Sequence, residues 1–339
     1  MRKNIILLIV TISIVLAIAE LLLRWFAPIE PVDVASMYQY DAQTAFALRP
    51  NLRIYETTDF QKEIISDSLG TADFKENLDR KRPMVFAVGD SYTEGCGIPA
   101  DMAYPFQLDM ILNRDSVGYY SPRYTVVNLG VFGYGGEQSL LRLEEYAQKL
   151  GKPADVLYLG YDNDYADDEA FLSGIRHHNI IAGSPYWPAW LVGPLQSVRQ
   201  NSQVVKRIWL AYHKLRGDFH EDLVDRTKAD TTHPVAEQEK GVLNRLAAAC
   251  EEMHARLIVA WMGPSPSYGW MERWAAKKNI AFVDWLPKMY SMQAAKPDLP
   301  MGNHHSGGHV RGWVNRVLAE EFARTILKKE PQINTDGNR

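Results

Sequence analysis

From Met84 onward, short unbroken apolar runs alternate with longer stretches in which apolar residues recur every three or four positions. The unbroken runs lie at 84–88, 125–129, 156–159, 257–261 and 281–283. They are rich in β-branched and aromatic residues and lack polar alternation, as strands buried on both faces do. The amphipathic stretches lie near 103–113, 137–150, 235–253, 269–278 and 312–328. Strand alternating with helix predicts an α/β class, a three-layer α/β/α sandwich on a central parallel sheet.

Ahead of this pattern, residues 5–23 are almost wholly apolar, broken only by Thr11, Ser13 and Glu20. As a helix the run approaches the ~30 Å of a bilayer core. Arg2 and Lys3 precede it, whereas Glu30 and Asp33 follow Arg24. The positive-inside rule then places the N-terminus in the cytoplasm and the body on the exported side, periplasmic or extracellular. The alternative is secretion after cleavage at the small-residue site Ala17-Ile18-Ala19. The expected plan is an anchor or signal segment at 1–26, a stalk and lead-in at 27–80, a main domain at 81–330 and a tail at 331–339. Residues 165–235 break the rhythm of the main domain, with Pro185, Pro188 and Pro194, and read as an insertion with a helix near 200–215. Long excursions of this kind serve as lids, binding loops or packing subdomains.

Composition narrows the function. With 46% hydrophobic and 23% charged residues, the chain is globular rather than disordered. A net charge of −4 argues against a nucleic-acid partner. Two cysteines, Cys96 and Cys250, exclude a disulfide-rich scaffold and a four-cysteine zinc site, and could pair in an exported body.

Candidate chemistry gathers after the strands, where open α/β sheets place their ligands. Gly89-Asp90-Ser91-Tyr92-Thr93-Glu94-Gly95 follows the first run. Ser91 there is either a helix cap or a nucleophile presented in a tight turn. Asn128-Leu129-Gly130-Val131-Phe132-Gly133 follows the second run, and Gly160-Tyr161-Asp162-Asn163-Asp164 the third. His309 stands just before the last helix. Serine, then donors, then histidine is an order that suits acyl chemistry.

These blocks resemble the SGNH (GDSL-type) hydrolases, a family of esterases, lipases and polysaccharide deacetylases. The resemblance spans roughly residues 80–325. It implies Ser91 as nucleophile and His309 as general base. It also implies an oxyanion hole from the N–H groups of Ser91 and Gly133 and the side chain of Asn163. The resemblance extends to a bacterial membrane-anchored subgroup through Glu20, Arg24 and Ser68-Leu69-Gly70. The implied activity is hydrolysis of a carboxylic ester in an extracytoplasmic acylated substrate, a small molecule or a glycan. O-acyl transfer to a cell-surface polysaccharide, or a catalytically silent glycan-binding or assembly protein, are the alternatives. No cofactor or metal is implied.

Two positions depart from the family pattern. Gly307 and Ser306 stand where an aspartate usually orients the histidine. Either the site runs as a Ser91–His309 dyad, with a backbone carbonyl orienting the ring, or activity is reduced; Asp298 is a distant substitute for the carboxylate. Asp162 stands where a glycine is common, and a carboxylate beside an oxyanion hole is unfavourable unless it points away. His305 is the rival base, with Asn303 in the aspartate position. His304, His305 and His309, with Asp162, Asp164, Asp167 and Asp168, invite a metal reading. Gly307 and Gly308 oppose the helix that zinc ligation at His305 and His309 would use. Tyr186, Trp187 and Trp190 in the insertion suit packing or a sugar platform.

Overall fold

A computed structural model describes residues 2–27, 37–56, 62–73, 78–114, 123–177, 232–303 and 309–328, with scattered positions between 198 and 211. The chain divides into two compact units: residues 1–47 with 173–228, and residues 48–172 with 229–339.

In the first unit, α1 (Arg2–Phe26) is a single helix, and Lys3–Phe26 is long and apolar enough to cross a membrane. Its one acidic residue, Glu20, is engaged. The carboxylate takes Arg24 Nε at 2.7 Å, Ser202 Oγ at 2.8 Å and the N–H groups of Gln203 and Val204 at 3.0 Å. Glu20 therefore caps a segment of the insertion, as a carboxylate at exposed N–H groups does. Strands β1 (Tyr38–Asp41) and β2 (Ala45–Leu48) pair, turning at Asp41, whose Oδ1 accepts from the N–H groups of Gln43 and Thr44.

The second unit begins with an antiparallel pair, β3 (Arg53–Glu56) and β4 (Lys62–Ile65). The lead-in is thus built of strand ladders, with a segment docked on the main domain. Arg142 reaches Gly70 O at 2.7 Å, and Tyr146 OH donates to Leu69 O. Ser68-Leu69-Gly70 is thereby a docking turn.

The main sheet has five parallel strands in the order β6-β5-β7-β8-β9. They are β5 (Met84–Gly89), β6 (Thr125–Asn128), β7 (Asp155–Gly160), β8 (Arg256–Trp261) and β9 (Ala281–Phe282). All five predicted strands are present. Register pairs Ala87 with Asn128 on one side of β5 and with Leu157 on the other. The strands are buried on both faces because helices cover both. Phe86 and Val88 pack with α4 (Gly136–Leu150), α7 (Lys240–Met253) and α8 (Pro266–Lys277). Val85 and Ala87 pack with α3 (Tyr104–Leu112), α9 (Leu286–Ala295) and α10 (Gly312–Leu327). The remaining helices are α2 (Ser91–Glu94), α5 (Asp164–His177) and α6 (Val235–Gln238).

Three expectations need correction. The predicted helix at 235–253 is two, parted at Glu239, because buried Glu239 ends α6 and starts α7. The segment from 165, read as irregular, opens on helix α5, which runs from Asp164 to His177 and buries Asp164 and Asp168. Helix α9 was missed because Pro287 breaks its pattern, although proline suits a first turn. Cys96 and Cys250 are not joined by a disulfide. The helix expected near 200–215 and the aromatic residues Tyr186, Trp187 and Trp190 lie largely or wholly outside the described residues.

Candidate active site

Strand order reverses at β5, which has β6 on one side and β7 on the other, and such switch points open a crevice beyond the carboxyl ends of the strands. Ser91 is the first residue of α2, directly after β5. Asp90 caps this short helix, its Oδ1 accepting the Tyr92 N–H at 2.9 Å. The cap fixes the turn, and the turn aims the Ser91 side chain. His309 Nε2 and Ser91 Oγ lie 2.7 Å apart. Asp90 Oδ2 is the weaker partner of that hydroxyl, at 3.4 Å.

The residues around His309 explain how the ring reaches Ser91. Gly302 and Val310 form an antiparallel bridge. Asn303 donates its N–H to His309 O at 2.9 Å and its side-chain amide to Gly97 O at 2.7 Å. That second bond ties the His309 backbone to the turn after Ser91. Asn315, in the first turn of α10, donates to Val310 O and Arg311 O and accepts the Tyr104 N–H. The ring itself lies against Tyr92, with centroids 4.8 Å apart, and faces Phe132 at 6.5 Å. Tyr92 in turn meets Tyr161 edge-on at 4.8 Å. Aromatic rings thus wall the dyad.

The segments after β6 and β7 sit on either side of β5. After β6 the backbone passes so close to α2 that a Cβ on Gly130 would lie 2.3 Å from Glu94 N. Gly133 has φ of 73°, a left-handed conformation that glycine adopts freely. After β7, Asn163 is nearly enclosed, and its side-chain amide donates to Asp167. That contact settles which end of the amide is which, since a carboxylate accepts only from the NH2. One N–H of the amide is then held and the other remains to be directed.

Asp162 is engaged elsewhere. Its Oδ1 accepts from Trp261 Nε1 at 3.0 Å and Ser265 Oγ at 2.8 Å, on the β8 side. The departure at this position is accommodated by turning the carboxylate towards its own partners. The neighbouring carboxyls are subdued by another route. Burial pushes Asp90 up to about 7, and the nearby Asp167 adds to the rise. Burial also raises Asp164 well above the usual carboxylate range, with Glu239 and Asp90 adding to it, while Tyr158 OH donates to it at 2.6 Å. Burial raises Asp168 to about 7.

Of the other sequence candidates, Asp298 is exposed in the turn after α9. It sits apart from the hydrogen bonds that hold the His309 loop, which run through Asn303, Gly302 and Asn315. His304, His305, Ser306, Gly307 and Gly308 lie outside the described residues. Among the described residues, no group of three or more His, Cys, Asp or Glu side chains is arranged to hold a metal ion. Sequence reasoning missed Glu94, Asp167 and the ring wall. Asp167 stands one turn after Asn163 on α5, a spacing at which helix side chains meet. Glu94 carried no sequence signal, because its partner lies 38 residues away.

No protein-family model matches the sequence, and no curated protein matches it. Solved structures do resemble it. A member of the lipolytic protein G-D-S-L family from Veillonella parvula DSM 2008 is 11% identical, with a TM-score of 0.42 over 73% of this chain and 100% of that one. A GDSL-like lipase from Bacteroides thetaiotaomicron VPI-5482 is 14% identical, with a TM-score of 0.37 over 75% and 92%. An alpha/beta hydrolase enzyme from the metagenome of Lake Arreo, Spain, is 14% identical, with a TM-score of 0.42 over 74% and 97%.

Proposed function

We propose that the chain is a serine-dependent carboxylic ester hydrolase. The observation that carries this reading is the 2.7 Å contact between Ser91 Oγ and His309 Nε2, at the carboxyl end of β5. A hydroxyl is a weak nucleophile until a base within hydrogen-bond reach takes its proton. In the proposed reaction His309 Nε2 accepts that proton as Ser91 Oγ bonds to the ester carbonyl carbon. The carbonyl oxygen takes up negative charge and is held by the N–H groups of Ser91 and Gly133 and the free N–H of Asn163. The tetrahedral species collapses as His309 returns the proton to the leaving alcohol. Water then repeats the sequence on the acyl-serine and frees the acid. Tyr92 packs against the ring, and the bonds from Asn303 N–H to His309 O and from Arg311 N–H to Met301 O hold the backbone at and after His309.

The body is proposed to act outside the cytoplasm on an acylated substrate, a glycan among the fitting classes. Support comes from the charge flanks of α1 and from the bonds of Glu20 to residues 202–204, which make the anchor helix part of the folded unit. Those bonds favour a retained anchor over a cleaved signal segment.

The test is active-site labelling. A fluorophosphonate probe should label the purified full chain in detergent, and Ser91→Ala should abolish labelling. His309→Ala should remove nearly all labelling, and His305→Ala should keep it. An unlabelled wild-type chain would sink the hydrolase reading. A dead His305→Ala beside a live His309→Ala would move the base to His305.

A further inference from the structure

We propose that Glu94 is a positioning residue that sets the oxyanion loop against the nucleophile turn. The proposal rests on the reading of Ser91 as nucleophile and of Gly133 and Asn163 as donors. Glu94 is the last residue of α2 and is buried. It meets the loop after β6 at three points. Its Oε2 accepts the N–H of Phe132 at 2.5 Å. Its backbone carbonyl accepts from Asn128 Nδ2 at 3.3 Å. Its backbone nitrogen lies where only a glycine at 130 can pass. Asn128 completes the grip by accepting the Gly130 N–H at 3.0 Å.

The consequence falls on the next peptide. Phe132 is held through its own N–H, and the following N–H is that of Gly133, the proposed donor. Gly133 has no side chain to fix its left-handed backbone, so the direction of its N–H depends on the turn that the Tyr134 N–H closes onto Val131 O at 3.1 Å and on what holds Phe132 within that turn. The Phe132 ring faces His309 at 6.5 Å, which places this peptide on the site side of the loop. Glu94 stands three residues after Ser91 on the same short helix. It therefore carries the nucleophile's position over to the donor: the two move together or not at all. Without the carboxyl acceptor, the Phe132 N–H would be left seeking another partner, and a partly buried donor without one is costly. The loop would turn to satisfy it and take the Gly133 N–H out of line. A misplacement of about 1 Å at a reacting group lowers the rate about 10²-fold.

The experiment uses the purified full chain in detergent, with turnover of a short-chain nitrophenyl ester, the rate of fluorophosphonate labelling, and thermal melting. Labelling builds a tetrahedral phosphorus centre whose oxygen occupies the same hole, so it reads the hole directly. Glu94→Ala should lower kcat and the labelling rate together by about 10²-fold, with KM changed less than about threefold and melting still cooperative. Glu94→Gln keeps a carbonyl acceptor and should recover both rates to within about fivefold of wild type. Where Glu94→Ala does not fold, Glu94→Asp carries the test with the same expected split, because it withdraws the acceptor by one methylene. The proposal is overturned by a Glu94→Ala (or, in its place, Glu94→Asp) chain that turns over as wild type, by a loss carried wholly in KM, or by a Glu94→Gln chain as slow as the alanine variant. A wild-type chain that takes no label is a different failure. It removes the nucleophile assignment on which the proposal stands.

Discussion

Asn163 and Asp167 show how one side chain prepares another. The amide of Asn163 gives one N–H to Asp167, one helical turn further on, and its Oδ1 is buried without a partner among the described residues. A donor held in this way needs little reorganisation when charge develops beside it, which is the condition for a large electrostatic contribution. Asn163→Ala should therefore lower kcat by about 10²–10³ with little change in KM. Steady-state kinetics on a nitrophenyl ester decides it; a loss confined to KM would make Asn163 a ground-state binding group. The Ser91–His309 contact was legible in the sequence as two motif residues 218 positions apart, although only the fold brings them to 2.7 Å. Glu94 and Asp167 were not legible. A glutamate in a glycine-flanked turn and an aspartate in an acidic run both read as solvated surface, and neither partner can be named until the loops after β5, β6 and β7 are in place.

At the scale of elements, α4 and α5 meet through a buried carboxyl. Asp168 Oδ1 on α5 accepts the Glu137 N–H in the first turn of α4 at 2.9 Å. An acceptor there answers donors that a helix start leaves open. Burial raises this carboxyl from its ordinary 3.8 to about 7, and the acidic neighbours Glu137 and Asp167 add to the rise. The group thus holds its proton more tightly folded than unfolded. Its stabilising contribution is complete below about pH 4 and is lost as pH climbs towards about 7. The Asp168 share of the melting temperature should fall between about pH 4 and 7. Asp168→Asn keeps an acceptor without a titrating proton and should flatten that slope. Parallel slopes for variant and wild type would clear Asp168 of the effect. Period and length were enough to find the five strands and most of the helices around them. They were not enough for α5, whose acidic first turn looks polar on every face until Asp164 and Asp168 are seen to point inward.

For the whole molecule, the proposed anchor would set where the chemistry takes place. Arg2 and Lys3 precede the apolar helix, and Glu20 near its other end is joined to Arg24 and to residues 202–204. A reporter that is active only outside the cytoplasm, fused after residue 339, should be active, and the fusion should stay with membranes through an alkaline carbonate wash. An inactive but folded fusion would reverse the orientation. An active fusion released by the wash would mean that the helix is removed as a signal segment.

The sequence by itself determined the α/β class, the five strands and the serine, asparagine and histidine of the candidate site. Unbroken apolar runs of strand length admit few other readings, and residues placed just after such runs must gather at one edge of a parallel sheet. Tertiary structure alone decided the rest. It turned Asp162 towards Trp261 and Ser265, left Asp298 exposed, and tied Leu69 and Gly70 of the apparent stalk to α4 of the main domain. It also placed Glu94 between Ser91 and the loop that carries Gly133. The physical reason is the same in each case. Strands and helices follow from local periodicity, whereas the partner of a buried polar group is whatever the packed chain brings within 3 Å of it.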